Sequence, residues 1–150
     1  MPRLIRTEIE IAAPAETVWS LLVDFDRYPE WNPLIRRASG ELRDGARLDV
    51  TVHPEGGRSM RFKPVVLAAR EDSELRWRGV FLMTAFFEGE HSFLIERLGP
   101  ERVRFVHTER FLGLFVPLLW KQLNTVTRAG FEAMNRALKE RAEGAAAASE

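Results

Sequence analysis

The sequence predicts an α+β domain in which a curved, seven-stranded antiparallel sheet wraps around a long C-terminal helix. Three observations lead to this fold class: an alternating first segment, several further alternating runs joined by short turns, and a final segment with helical spacing. Turns this short join antiparallel neighbours, because a parallel pair needs a crossover of about a dozen residues or more. A meander of strands followed by one helix is therefore the simplest topology.

The first elements follow from periodicity and proline. Residues Arg3–Ile11 alternate apolar and charged side chains, which predicts a half-buried strand. A short helix opens at Pro14, and a second short turn begins at Asp24. Prolines at both ends of the segment YPEWNP, residues 28–33, favour extended or turn backbone there, so we expect Trp31 to project from an irregular loop.

Six further strands are predicted between turn sequences, and a helix follows them from Pro117 to about Arg141. The turns lie at Gly40, Asp44-Gly45, Glu55-Gly56-Gly57, Asp72-Ser73 and Gly99-Pro100. The inward face of the helix is spaced three or four residues apart and comprises Trp120, Leu123, Thr127, Phe131, Met134 and Leu138.

Geometry requires the sheet to curl. Seven strands about 4.8 Å apart make a sheet about 30 Å wide, whereas a helix with its side chains is about 10–12 Å across. One helix cannot cover such a sheet if it is flat, so the sheet must bend around it while the two short helices close one end. Gly130 lies within the helix, and we expect it to mark a close packing contact.

Length and composition narrow the class of protein. The chain has 150 residues, no cysteine, and 22 basic against 22 acidic residues. We expect one domain over residues 1–143, a disordered alanine-rich tail over 144–150, and a cytoplasmic location. The balanced charge argues against nucleic acid as a partner, and no apolar run is long enough for stable membrane insertion. A homodimer stays open.

Four segments carry a family resemblance: IAAPAETVWSLLVDFDRYPEWNP (11–33), GEHSFLIE (89–96), HTERFLGLFVPL (107–118) and FEAMNRALKERAE (131–143). Together they resemble the START-like helix-grip superfamily, also called SRPBCC, and its polyketide cyclase/dehydrase-like branch. The resemblance implies the helix-grip fold, a central hydrophobic cavity, and the binding of small apolar or amphipathic molecules, lipids included. It implies no particular reaction, since members that look alike at this level include both carriers and cyclases.

Two adjacent strands place polar residues on the inward face. His91 and Phe93 share that face in one strand, as do His107 and Glu109 in the next. A loop of residues 99–101 sets His91 opposite Glu109, whereas a loop of residues 98–100 sets His91 opposite His107. We predict the first register, because a buried carboxylate needs a hydrogen-bonded partner and the imidazole supplies one.

The predicted His91–Glu109 pair has more than one interpretation. It is either a buried hydrogen bond that fixes the sheet register or a polar contact that orients a ligand. A catalytic role, in which Glu109, His91 or His107 moves a proton, stays open as a third interpretation. We assign no metal site and no cofactor, because no helical ligand spacing supports a site built on these residues.

The sequence thus predicts a protein that binds a hydrophobic or amphipathic molecule in an internal cavity. The alternatives are a polyketide cyclase/dehydratase-like or hydrolase-like enzyme that uses Glu109, His91 and His107, and a protein-interaction module. The apolar segment 111–116 is predicted to be a lid hinged near Gly113. The residues expected to contact the ligand are Trp31, Trp77, His91, Phe93, His107, Glu109, Phe111, Trp120, Phe131 and Met134.

Overall fold

A computed structural model describes residues 2–81 and 87–149 of the chain, without the side chains of residues 81 and 87. These residues form eight strands, three α-helices and one 3-10 turn, Phe25–Arg27. The strands and helices, in chain order, are β1 Arg3–Ile11, α1 Ala15–Val23, α2 Tyr28–Trp31, β2 Ile35–Ser39, β3 Asp49–Val52, β4 Met60–Phe62, β5 Val65–Arg70, β6 Glu74–Phe81, β7 Phe87–Gly99, β8 Arg102–Gly113 and α3 Val116–Ala148.

The strands form two antiparallel sheets, so the prediction of a single seven-stranded sheet is wrong. The larger sheet has five strands in the order β1-β8-β7-β6-β5, and the smaller has three in the order β2-β3-β4. The break lies between β4 and β5 at Pro64, which has no N–H to donate to a ladder. Backbone hydrogen bonds still join the segment that precedes β3 to the start of β5, from Leu48 N to Pro64 O and from Val66 N to Ala46 O, each 2.8 Å long.

Helix α3 packs its apolar face against the larger sheet. Phe131, Met134 and Leu138 are buried, as the helical spacing predicts, and Ala142 beyond the predicted helix is buried too. The predicted helix end near Arg141 is too early, and residues 144–148 of the expected tail are helical. The extension follows from contacts past Arg141, since Ala142 is fully buried and the Glu143 carboxylate accepts a 2.9 Å hydrogen bond from the Ala12 N–H.

The short elements close one end of the core. Val18 and Leu22 of α1 are buried, and the Tyr28 hydroxyl donates a hydrogen bond to the Leu22 carbonyl. Trp31 lies in α2 and not in an irregular loop as expected. Asn32 caps the end of this helix. Its side-chain oxygen accepts hydrogen bonds from the backbone N–H groups of Leu34 and Ile35 at the start of β2.

The segment predicted as a lid is mostly regular structure. Strand β8 continues to Gly113 and α3 begins at Val116, so only two residues connect them. Phe111 and Val116 are buried, while Leu114 and Leu118 are 79% and 80% exposed. The lid prediction is therefore not supported by the backbone, because the buried residues at both ends hold the connection in place. In the described residues, no helix has the length and apolar character needed to span a membrane.

Candidate functional site

The register of β7 and β8 brings the predicted polar residues together. His91 lies opposite Glu109 and Phe93 lies opposite His107, which confirms the preferred register. The turn itself differs from the predicted loop, because Gly99 pairs with Arg102 and Leu98 is an extra residue in β7. The bulge at Leu98 offsets the two-residue turn, so the inward face keeps the same residues along the rest of the hairpin.

The candidate site lies along one row of directly paired residues that crosses the larger sheet. Trp77 of β6 pairs with His91, and Glu109 pairs with Ile5 of β1. All of these side chains point toward α3, because residues directly opposite one another share a face. The neighbouring row contains Gly79 and Gly89, which pair with each other. The inner surface of the sheet therefore has no side chain at two adjacent positions beside Glu109.

The Glu109 carboxyl lies against Gly89. A Cβ placed on Gly89 would lie 2.5 Å from Glu109 Oε1, too close for the carboxyl to stay where it is. Glycine at this position is thus what allows the Glu109 side chain to lie flat across the strand. The carboxyl is at the edge of the buried region, and 13% of the Glu109 side chain is exposed.

The hydrogen bond predicted between His91 and Glu109 is not formed. His91 Nδ1 and Glu109 Oε2 are 4.0 Å apart, beyond hydrogen-bonding distance. His91 instead makes a 2.6 Å contact between its Nε2 and His107 Nε2. The alternation rule placed the two Cβ atoms correctly but carries no information about which rotamer brings an imidazole nitrogen to which neighbour.

Two residues that were not predicted complete the polar chain. His107 Nδ1 is 2.9 Å from Asn135 Oδ1, and Asn135 Nδ2 donates a 2.9 Å hydrogen bond to Thr7 Oγ1. Thr7 in turn donates to the backbone carbonyl of His107 over 3.1 Å. A sequence signal existed for both, since Thr7 alternates with Ile5 on the inward face of β1 and Asn135 follows Phe131 by four residues on α3.

Burial keeps all three titratable groups neutral. Burial raises the pKa of the Glu109 carboxyl to about 8. Burial lowers the pKa of His91 well below its usual value, and the neighbouring His107 lowers it further. The pKa of His107 falls to about 3 for the same reason, although its hydrogen bond with Asn135 opposes the shift. At neutral pH the site therefore holds a carboxylic acid and two neutral imidazoles, and no ion pair.

Aromatic rings fill the middle of the interface between sheet and helix. The His107 ring stacks on Phe131 with centroids 3.8 Å apart and an interplanar angle of 8°. His91 contacts Trp77 and Phe93, with ring centroids 5.3 Å and 4.6 Å away. The middle of the cavity expected here is thus occupied by side chains in the described part of the molecule, and the adjacent glycine row contributes none.

The other predicted contact residues lie at the two ends of this core. Phe111 and Trp120 pack edge to face with centroids 6.3 Å apart, near the glycine row. Met134 is fully buried in the core. Trp31 is not part of the histidine cluster and packs on Tyr28, with centroids 5.4 Å apart. No three His, Asp or Glu side chains within residues 2–81 and 87–149 are arranged to hold a metal ion.

Two surface grooves occur away from the histidine cluster. One, of about 570 Å³, lies between the 3-10 turn and strands β2 and β3, and the other, of about 430 Å³, lies on the outer side of the first turns of α3. Neither contains a predicted contact residue. Among the described residues, the site is therefore defined by its side chains and by the glycine row.

A comparison with protein-family models shows to which family the chain belongs. Residues 3–143 match the model of the family described as polyketide cyclase / dehydrase and lipid transport. The chain belongs to this family. A comparison with curated proteins found no match. The match covers β1 through most of α3, so every residue of the polar chain from Thr7 to Asn135 lies within the polyketide cyclase / dehydrase region.

Solved structures agree with this assignment at the level of the fold. A START superfamily protein from Mycobacterium smegmatis is 24% identical with a TM-score of 0.76, over 95% of this chain and 98% of that one. The Zhui aromatase/cyclase from Streptomyces sp. R1128 is 20% identical with a TM-score of 0.73, over 95% and 94% of the two chains. At these identities the likeness establishes a START-like fold for this polyketide cyclase / dehydrase family member and leaves its activity open.

Proposed function

We propose that the protein binds one hydrophobic or amphipathic small molecule between the larger sheet and α3. The bound molecule lies along the glycine row at Gly79, with its polar group beside the Glu109 carboxyl, which covers Gly89. The family assignment and the START-like fold support ligand binding in general, and the residues of this chain support the position.

The glycine row is the observation that carries this proposal. Two inward glycines in adjacent strands remove side chains from a buried part of the sheet, although glycine is disfavoured in strands. The glycine row is bordered by Glu109, Phe111 and Trp120, which provide one polar group and two aromatic rings. A mostly apolar surface with a single well-placed polar group is typical of sites that orient a small molecule.

Two hydrogen-bond donors define the polar end of the ligand. At neutral pH the raised pKa of Glu109 leaves its carboxyl protonated, so it can donate. The indole Nε1 of Trp77, which is 1% exposed, has no hydrogen-bond partner among the described residues. An unsatisfied buried donor costs about 1–3 kcal/mol, which an acceptor oxygen on the ligand would recover. The proposed ligand is therefore an apolar molecule that carries an uncharged acceptor oxygen.

The test is a titration with Nile red, a neutral solvatochromic dye that carries a carbonyl oxygen. Wild-type protein is expected to bind one dye per chain with a blue-shifted emission. Gly89→Ala should weaken binding about tenfold, or about 1.4 kcal/mol, because the new methyl group occupies the glycine row and displaces the Glu109 carboxyl.

Gly99→Ala is the matched control, since Gly99 lies in the same strand with no atom near its added Cβ. Leu118→Lys controls for dye that adheres to the exposed apolar end of α3. Equal affinities for wild type and Gly89→Ala would show that the dye binds elsewhere and would contradict the proposal.

A second candidate is an enzyme of the cyclase or dehydratase type that uses Glu109 as its general acid. The specific observation in its favour is the raised pKa, which lets the carboxyl keep at neutral pH the proton that a general acid must donate. Glu109→Gln would then abolish turnover of a linear polyketide-type substrate while Nile red still binds. Dye binding without any turnover by the wild-type protein would favour a binding role alone.

A further inference from the structure

The hydrogen-bonded chain of His91, His107, Asn135 and Thr7 ends at a backbone carbonyl. The backbone carbonyl of His107 can only accept, so the Thr7 hydroxyl must donate its single proton to that carbonyl. Thr7 Oγ1 is then available only as an acceptor toward Asn135. The group that faces Thr7 must therefore be the amide nitrogen of Asn135, and the amide oxygen must face His107.

The orientation of the amide fixes both imidazoles. His107 Nδ1 faces the amide oxygen at 2.9 Å and must carry a proton. A neutral His107 then has a lone pair on Nε2, and the nitrogen of His91 that lies 2.6 Å away must supply the proton between them. A neutral His91 that is protonated at Nε2 has its lone pair on Nδ1, the nitrogen nearest to Glu109.

We infer that Asn135, held in place by Thr7, is a positioning residue that fixes His107 as the Nδ1–H tautomer and His91 as the Nε2–H tautomer. Every hydrogen bond in the chain then runs in one direction, from His91 through His107 and Asn135 to Thr7. His91 presents an acceptor nitrogen to Glu109 and offers it no donor. Neither Asn135 nor Thr7 touches the glycine row, so both act through the histidines.

This arrangement has a consequence for the proposed ligand site. Because His91 offers no N–H to Glu109, no donor on that side stabilises the carboxylate form. The acceptor nitrogen of His91 is 4.0 Å from the carboxyl, too far to take its hydrogen bond, so the Glu109 proton stays available to a bound molecule. This consequence rests on the proposed function. The tautomers themselves do not, and they can be measured in the absence of any ligand.

Long-range ¹H–¹⁵N correlation spectra of the histidine rings at neutral pH test the inference. The chain has three histidines, whose ring signals are assigned through correlations with their backbone resonances. We expect His107 to show a protonated Nδ1 and an unprotonated Nε2, and His91 to show the reverse pattern. An Nε2–H tautomer at His107 in the wild-type protein would overturn the inference without the need for any variant.

Two substitutions test the role of Asn135 itself. Asn135→Leu removes the acceptor, so the signals of both histidines are expected to exchange their patterns, with His107 protonated at Nε2. Asn124→Leu makes the same change elsewhere on α3, and Thr7→Ser keeps the anchoring hydroxyl, so both should retain the wild-type pattern. If Asn135→Leu does not fold, Thr7→Val is measured instead and is expected to lose the single Nδ1–H form of His107. An unchanged pattern in the folded variant would refute the positioning role.

Discussion

At the scale of single residues, burial acts on Glu109 and on the two histidines in opposite senses. In the folded protein the Glu109 carboxyl has a pKa of about 8, whereas the usual value is 4.5, so it keeps its proton at neutral pH. The folded protein excludes protons from His91 and His107, whose pKa values lie below the usual 6.5. These differences between the folded and unfolded chains make stability depend on pH.

The free energy of unfolding is predicted to be greatest near pH 6.5. Below that pH, His91 and His107 are protonated in the unfolded chain but stay neutral when buried in the folded chain. The free energy of unfolding therefore rises with pH in this range. Above it the folded chain retains the Glu109 proton that the unfolded chain has lost, so stability falls by at most about 2 kcal/mol up to pH 8.

The Glu109 contribution is separated from the rest by substitution. Glu109→Gln removes the titrating group while keeping the shape of the side chain, so the decline between pH 6.5 and pH 8 should disappear. Urea unfolding of wild type and variant at several pH values measures the difference. If the two curves decline in parallel, Glu109 is not the buried acid described here.

The sequence anticipated the positions of these residues better than their contacts. Alternation and loop parity, which depend only on backbone geometry, narrowed the register to two. The need of a buried carboxylate for a partner selected the register that places His91 opposite Glu109, although the hydrogen bond itself is not formed. The contact between His91 and His107 depends on side-chain rotamers, and the role of Asn135 depends on how α3 is rotated against the sheet. Neither quantity is encoded in the period of a single segment.

At the scale of elements, α3 contains two glycines in different surroundings. The inward spacing of the helix was predictable, and so was tight packing at Gly130, whose added Cβ would lie 2.8 Å from Leu34 Cδ1. Gly144 has no atom within 4 Å of that position. The end of the helix was not predictable, because it depends on contacts of residues such as Glu143 with Ala12 at the other end of the chain.

Alanine substitutions should therefore affect the two positions differently. Gly144→Ala is expected to raise the free energy of unfolding by up to about 1 kcal/mol, which is the helix-propensity difference between the two residues. Gly130→Ala gains the same propensity but crowds Leu34, so we expect a net loss of about 1 kcal/mol. Thermal unfolding of both variants measures this. Equal stabilisation at both positions would contradict the packing at Gly130.

At the scale of the whole molecule, the curvature argument anticipated the architecture but not how it is achieved. A single wide sheet was expected to bend around one helix, whereas the strands are divided at Pro64 into a five-stranded and a three-stranded sheet. The argument from width also left open whether side chains or empty space fill the interior. The rings of His91, His107 and Phe131 fill its middle, and the glycine row adds no side chain at one end.

The central claim is that this end of the core holds one small molecule, and native mass spectrometry of gently purified protein tests it most directly. Wild-type protein is expected to show its own mass of 17.2 kDa plus one bound molecule that is lost on denaturation, and Gly89→Ala should retain less of it. A wild-type spectrum with the bare polypeptide mass alone, both as purified and after incubation with excess Nile red, would contradict the claim.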